Sequence, residues 1–209
     1  RLRCDWSSDV CSSDLEKQII QVDLQHPIAG QTIVILGTGN LGGSVAQLLE
    51  PLGANVIGVN RQGNSVKGCA KIATFDKLDG ILPQADILYI SLPETPETIN
   101  IIDHRRLSLL KQSCGVINVG RQSAVDYDAL SEMLESKKLA GAILDVFSPE
   151  PIALNSNLWT VPNLIISPHV SADDGVNYVP QTLQFFFRNL ECFLSGKPLL
   201  NLVNKDLGY

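Results

Sequence analysis

The chain has 209 residues, 44% of them apolar, which allows one sizeable domain with an appendage and fits an ordinary globular protein. Its 16 basic residues are outnumbered by 22 acidic ones, and the net charge of −6 argues against nucleic acid or an anionic membrane as the main partner. No apolar run reaches membrane-spanning length and no signal-peptide pattern opens the chain.

The 5 cysteines show no C-x-x-C or other metal-ligand spacing, and Cys69, Cys114 and Cys192 read as free thiols of a reducing cytoplasm. With only 3 histidines (His26, His104 and His169), a histidine-based metal site is not expected. Residues 1–15 have neither helical nor strand periodicity and repeat Ser-Ser-Asp. They resemble the conceptual translation of a sequencing adapter joined in frame to a gene fragment, and are set apart from fold reasoning. Residues 16–30 read as a linker or helix remnant, residues 31–175 as a dinucleotide-binding domain, and residues 176–209 as a C-terminal helix and tail.

From Thr32 onward, apolar strands alternate with helical stretches, the pattern of a parallel sheet covered on both faces. Strands are expected over Thr32–Leu36 and Asn55–Val59, with a helix from about Leu41 to Leu52 between them and Gly53 as its stop. Arg61–Ala70 is rich in Gly, Asn and Ser and reads as a surface loop before a short edge strand at Lys71–Ala73. A helix over Asp76–Leu82 precedes a strand at Ile87–Ile90 and a turn at Pro96–Asn100. Asp103–Leu110 reads as a short helix and Gly115–Val119 as a buried strand. Asp126 caps a helix over Tyr127–Ser136; strands at Ala142–Leu144 and Leu164–Ile166 and a long helix at Asn177–Leu194 complete the pattern. The fold class is α/β, a Rossmann-type doubly wound parallel sheet with a C-terminal helix.

The first strand runs straight into Gly37-Thr38-Gly39-Asn40-Leu41-Gly42, a G-x-G-x-x-G. Gly37 allows the tight turn, Gly39 lets the backbone approach a pyrophosphate, and Gly42 lets the following helix pack on the strand. The N–H groups at Asn40 and Leu41 open that helix and offer its positive end to the phosphates. At the end of the second strand stands Asn60 rather than a carboxylate, followed by Arg61. Removing the carboxylate removes repulsion of a 2′-phosphate, and a guanidinium supplies a bidentate partner. The pair favours NADP(H) and leaves NAD(H) open.

Ile117–Arg121, Val125-Asp126, Gly141–Pro151 and Ser167-Pro168-His169, together with Leu92–Thr98, form an ordered set that resembles the D-isomer-specific 2-hydroxyacid dehydrogenases. The resemblance runs from about Ala29 to Tyr209. It implies a two-domain oxidoreductase that transfers a hydride between a nicotinamide dinucleotide and a small 2-oxo or 2-hydroxy acid. It also implies a homodimer, and a substrate domain built mainly from an N-terminal segment of about one hundred residues that is expected to be missing here; the C-terminal helix and tail, residues 176–209, would return to that domain. The fragment is then expected to lack activity.

Arg121 follows a strand's carboxyl end, where a guanidinium can grip carboxylate and carbonyl oxygens together. His169 follows the last strand at the same edge and suits general acid–base work. By the resemblance, Glu150 pairs with His169, favouring the charged imidazole and orienting the ring, and Asp145 serves the nicotinamide side. Leu92, Pro93, Val119 and Gly120 join Arg121 and His169 in facing the cofactor. Gln122 stands where the family usually has Gly, and Glu94 where it often has an apolar residue. A second reading is a dinucleotide-sensing, corepressor-like scaffold of the same family; a third is an unrelated Rossmann enzyme, which the ordered Arg, Glu and His disfavour.

Overall fold

The computed structural model describes residues 27–171 and 174–204; the expectations for residues 1–15, for most of the 16–30 linker and for the last residues of the tail lie outside these. Seven strands form one parallel sheet: β1 (Thr32–Leu36), β2 (Asn55–Val59), β3 (Lys71–Ala73), β4 (Ile87–Ile90), β5 (Gly115–Asn118), β6 (Gly141–Leu144) and β7 (Leu164–Ile166). Their order is β3-β2-β1-β4-β5-β6-β7. The chain therefore leaves β1 in one direction and returns to continue in the other, so a crevice opens between β1 and β4 at the strands' carboxyl ends.

The register draws these ends into line. Leu36 lies opposite both Val59 and Ile90, Ile90 opposite Asn118, Asn118 opposite Leu144, and Leu144 opposite Ile166. The residues that follow are Asn60, Gly37, Ser91, Val119, Asp145 and Ser167, so a single row across the sheet starts every loop of interest.

The helices are α1 (Asn40–Leu49), α2 (Leu78–Ile81), α3 (His104–Leu107), α4 (Tyr127–Glu135) and α5 (Tyr178–Leu194). Leu78, Leu107, Leu130 and Leu134 close one sheet face together with Val34, Leu88, Val116 and Leu144. Ala46 of α1 closes the opposite face over Ile33, Ile35 and Val56. This division follows from right-handed crossovers: connections running towards β7 all pass on one side, whereas that from β1 to β2 passes on the other. The face over β6 and β7 is consequently open among the described residues, with Ile143 38% and Ile165 61% exposed. The expected cover on both faces is present over β1, β2 and, in part, β4, where Ile87 and Tyr89 pack against the second cluster. Helix α5 has no buried residue, and Phe185, Phe186 and Phe187 are all exposed.

Local departures from the expected elements are small and have physical causes. The Asp76–Leu82 helix is a 3₁₀ turn at Phe75–Lys77, the single turn α2, and a second 3₁₀ turn at Leu82–Gln84. Gly80 within it and Pro83 beyond it both weaken a continuous helix. Helix α3 stops at Leu107 rather than Leu110; its first turn is fixed by Asp103, whose carboxylate accepts the Arg106 N–H at 2.8 Å. Asp79 pairs with Arg105 and Arg106, whose guanidinium hydrogen bonds hold its carboxyl down at about 2. The arginines beside His104 thus serve a surface ion pair.

Candidate active site

The Gly-rich turn is built as its spacing requires. Gly37 has a positive φ of 87°, and its N–H donates to the Val59 carbonyl at 2.9 Å. A side chain on Gly42 would meet the Gly37 carbonyl oxygen at 2.0 Å, so only glycine lets α1 start this close to β1. Gly39 differs: a Cβ there would meet nothing within 4 Å. The space in front of it is open, and α1 has neither a side-chain cap nor an acidic residue in its first turn. An uncapped helix start facing open space fits a pyrophosphate.

Beside this turn lies a cleft of ≈ 400 Å³. One wall is the loop after β2. Asn60 Nδ2 donates to Thr38 Oγ1 at 2.9 Å and to the Asn64 carbonyl at 3.0 Å, and Asn60 Oδ1 accepts the Gly63 N–H at 2.7 Å. Asn60 therefore shapes the loop that carries Arg61. The other wall is the loop after β4, where buried Thr98 donates to the Pro93 carbonyl at 2.6 Å and accepts the Thr95 N–H at 2.8 Å. Ser91 Oγ ties this wall to the glycine turn through the Gly37 carbonyl at 2.8 Å. Among the described residues no carboxylate lines the cleft, and Arg61 is the charged residue of that lining. This chemistry fits a nucleotide diphosphate.

The loop after β5 is pressed onto the same wall. Val119 N donates to the Ile90 carbonyl at 3.0 Å, and a Cβ on buried Gly120 would lie 2.7 Å from Leu92 N and O. Arg121 follows with extended backbone and an exposed side chain whose Nη1 donates to the Gly120 carbonyl at 2.8 Å. The loop is held from below by Asn118, which is fully buried: its Nδ2 donates to the Arg121 carbonyl and its Oδ1 accepts the Gly120 N–H, both at 3.1 Å. Glu94 accepts from the Ser123 hydroxyl, so this acid occupies the loop as a polar clamp one residue beyond Gln122.

Glu150 and His169 meet. Glu150 Oε2 lies 2.9 Å from His169 Nδ1, while Oε1 accepts the Phe147 N–H at 2.7 Å. The bond to His169 and the Phe147 N–H hold the Glu150 carboxyl below its ordinary value, and the Arg121 charge adds to the effect. Arg121 itself makes no hydrogen bond to either; it lies at the same edge, close enough for its charge to act on Glu150. His169 has a positive φ of 58° and is half exposed.

Asp145 is buried at the end of β6 and holds the loop that carries His169. Its carboxylate accepts the Val170 N–H at 3.0 Å, the Ser171 N–H at 3.2 Å and the Ser171 hydroxyl. Burial opposes its charge, but the Ser171 and Ser167 hydroxyls and these amides leave its carboxyl below the ordinary value. A direct contact with the nicotinamide side is the expectation from resemblance; what the geometry adds is an anchoring contact to Val170 and Ser171. Asn118, Tyr127, Thr98 and Ser171 are contributors that residue patterns alone did not single out. Asn118 had a visible signal, an amide at the end of an otherwise apolar strand. Among the described residues no cluster of His, Cys, Asp and Glu could hold a metal ion, and no helix is long and apolar enough to cross a membrane.

A doubly wound parallel sheet with this glycine turn and cleft at its switch point defines a dinucleotide-binding α/β domain. The family model described as "D-isomer specific 2-hydroxyacid dehydrogenase, NAD binding domain" matches residues 11–171, its first residues falling inside the 1–15 segment. The chain belongs to that family. It is 34% identical over 178 residues to glyoxylate/hydroxypyruvate reductase A of Enterobacter sp. (strain 638), covering 85% of this chain and 56% of that protein. A D-isomer specific 2-hydroxyacid dehydrogenase from Xanthobacter autotrophicus Py2, solved in complex with NADPH and MES, superimposes with a TM-score of 0.80. Its identity is 32%, and the match covers 88% of this chain and 75% of that one. An NADPH-dependent glyoxylate/hydroxypyruvate reductase from Sinorhizobium meliloti, solved with NADP and sulfate, gives a TM-score of 0.81 at 33% identity, covering 88% and 59%. The chain spans between 54% and 59% of the length of the first curated relatives it matches.

Proposed function

We propose that this chain is the cofactor-binding part of a reductase of small 2-oxo acids that prefers NADP(H), with glyoxylate and hydroxypyruvate as the first substrates to test. The observation that carries the reading is the Glu150–His169 pair at 2.9 Å, on the same sheet edge as Arg121 and the glycine turn. The residues after β1, β2 and β4 would hold the dinucleotide, with the α1 N-terminus on the pyrophosphate and Arg61 near the adenosine ribose. When bound, the dinucleotide supplies the hydride.

Arg121 then holds the carboxylate of the oxo acid, as a planar guanidinium fork can. Glu150 occupies Nδ1 of His169 and fixes the ring, which leaves Nε2 to give a proton to the carbonyl oxygen. Asn118 and Asp145 fix the two loops that carry these groups. The closure that would exclude water is assigned to a substrate domain beyond the matched portion, as is the choice among oxo acids. The NADP(H) preference is supported by Arg61, the charged residue among the described residues that line the cleft, and by the NADPH and NADP in the two similar structures.

Titration of the 209-residue chain with NADPH and NADH, followed by a panel of small 2-oxo acids, tests the reading. It expects NADPH to bind more tightly than NADH. It also expects any turnover to be lost in Arg121→Ala and His169→Ala with cofactor affinity largely kept. A chain that binds neither dinucleotide would refute it.

A further inference from the structure

The two walls of the nucleotide cleft are joined across its rim. Arg61, on the loop after β2, places Nε 2.9 Å from Oε2 of Glu97, on the loop after β4. The side chains are unequally placed, with Arg61 28% and Glu97 60% exposed. Arg61 belongs to the cleft lining and Glu97 does not. The carboxylate thus sits at the rim and offsets part of the charge that the cleft presents. Glu97 is not loosely placed, because its neighbours Thr95 and Thr98 are buried and hydrogen-bonded to each other at 3.1 Å.

We infer that Glu97 is a specificity-determining residue that weakens selection of the 2′-phosphate by competing with it for Arg61. This rests on the NADP(H) reading given above. A 2′-phosphate arriving at Arg61 must share or displace the Glu97 carboxylate and also meets its like charge. A dinucleotide with a bare 2′-hydroxyl meets neither cost, because it does not need the guanidinium. The arrangement would keep preference for NADP(H) moderate rather than absolute, and make it sensitive to salt, since the pair is partly exposed.

The test is a set of binding titrations with NADPH and NADH on the wild-type chain, Glu97→Gln, Arg61→Ala and the double variant, at low and high salt. Glu97→Gln is expected to tighten NADPH by about two- to fivefold, the range that a partly exposed ion pair allows, and to leave NADH unchanged. The gain should shrink at high salt and vanish in the Arg61→Ala background. The smaller probes 2′-AMP and 5′-AMP should repeat the contrast. Weaker NADPH binding in Glu97→Gln would overturn the inference and make Glu97 a positioning residue for Arg61. Equal changes for both dinucleotides, or a gain that survives without Arg61, would also overturn it. A wild-type chain that binds NADPH but does not respond to Glu97→Gln defeats this inference alone. A wild-type chain that binds neither dinucleotide defeats the underlying reading, and this one with it.

Discussion

Asn118 Nδ2 donates to the Tyr127 hydroxyl at 3.0 Å in the interior of the domain, and that hydroxyl donates onward to the Val146 carbonyl at 2.9 Å. The bond links the base of the Arg121 loop to the segment that leads into Glu150. Asn118 holds Gly120 and Arg121 on one side, and Val146 adjoins Phe147, whose N–H donates to Glu150 on the other. Burial pushes the Tyr127 phenol well above its ordinary value, so it stays a neutral donor at any working pH.

Tyr127→Phe removes this hydroxyl while keeping the ring and its edge-on contact with Phe147. It leaves the Val146 carbonyl and one Asn118 N–H without their partner in a buried setting. The expected loss is about 1–3 kcal/mol of stability, measured as a lower urea midpoint with unchanged slope. A loss below about 0.5 kcal/mol, within the range of an indifferent surface change, would mean that the network is not a structural link.

The carboxylate of Asp145 predicts a pH window. Its folded-state pKa lies below the ordinary 3.8, so its contribution to stability is fully present above the unfolded value and is lost as pH falls through the folded one. The amide proton shifts of Val170 and Ser171 should therefore stay constant above about pH 5 and move only below the ordinary carboxylate range. Asp145→Asn should abolish that movement and loosen the His169 loop at neutral pH, since one amide oxygen cannot accept from the Val170 and Ser171 N–H groups and the serine hydroxyls together. Shifts that titrate identically in Asp145→Asn would sink the assignment.

Glu150 makes a second, separable prediction. The His169 hydrogen bond is the largest cause of its depressed pKa, ahead of the Phe147 N–H. In His169→Ala the Glu150 carboxyl, followed by ¹³C NMR, should titrate closer to 4.5 than in the wild-type chain. The sign for stability is that of Asp145: the pair supports the fold above the unfolded pKa and ceases to do so as pH falls. An unchanged Glu150 titration would show that the two side chains do not interact in solution.

The strands were legible in the sequence because their β-branched runs are bounded by Gly, Pro and Asn. The glycine turn was legible because its offsets follow from backbone geometry. Proximity was not legible. That Glu150 and His169, 19 residues apart, come within hydrogen-bond distance depends on β6 and β7 lying side by side, which resemblance implied and local pattern did not. The Asn118–Tyr127 bond was invisible for the same reason, since each residue taken alone reads as a strand end or a helix start. Which part of a face stays open, here over Ile143 and Ile165, was not legible from local pattern: strand hydrophobicity reports that a face needs cover, whereas crossover direction decides whether these elements supply it.

Gly39 and Gly42 should respond differently to the same added methyl group, which separates folding from binding. A Cβ on Gly42 would fall 2.0 Å from the Gly37 carbonyl oxygen, a backbone atom that also accepts the Ser91 hydroxyl. Gly42→Ala must therefore push α1 away from β1, at a cost of about 1–3 kcal/mol or more, and dinucleotide affinity should fall with it. A Cβ on Gly39 meets nothing within 4 Å, and its backbone is already extended, with φ −71°. Gly39→Ala should leave the unfolding midpoint almost unchanged, because no protein atom is displaced. The methyl group would instead project into the open space in front of the helix N-terminus, and NADPH binding should weaken by at least about tenfold, the equivalent of one lost charge-assisted contact. Titration and urea unfolding of both variants check this. If Gly39→Ala bound NADPH as well as the wild-type chain, the pyrophosphate could not lie against this turn, and the cofactor assignment would have to move elsewhere on the carboxyl edge.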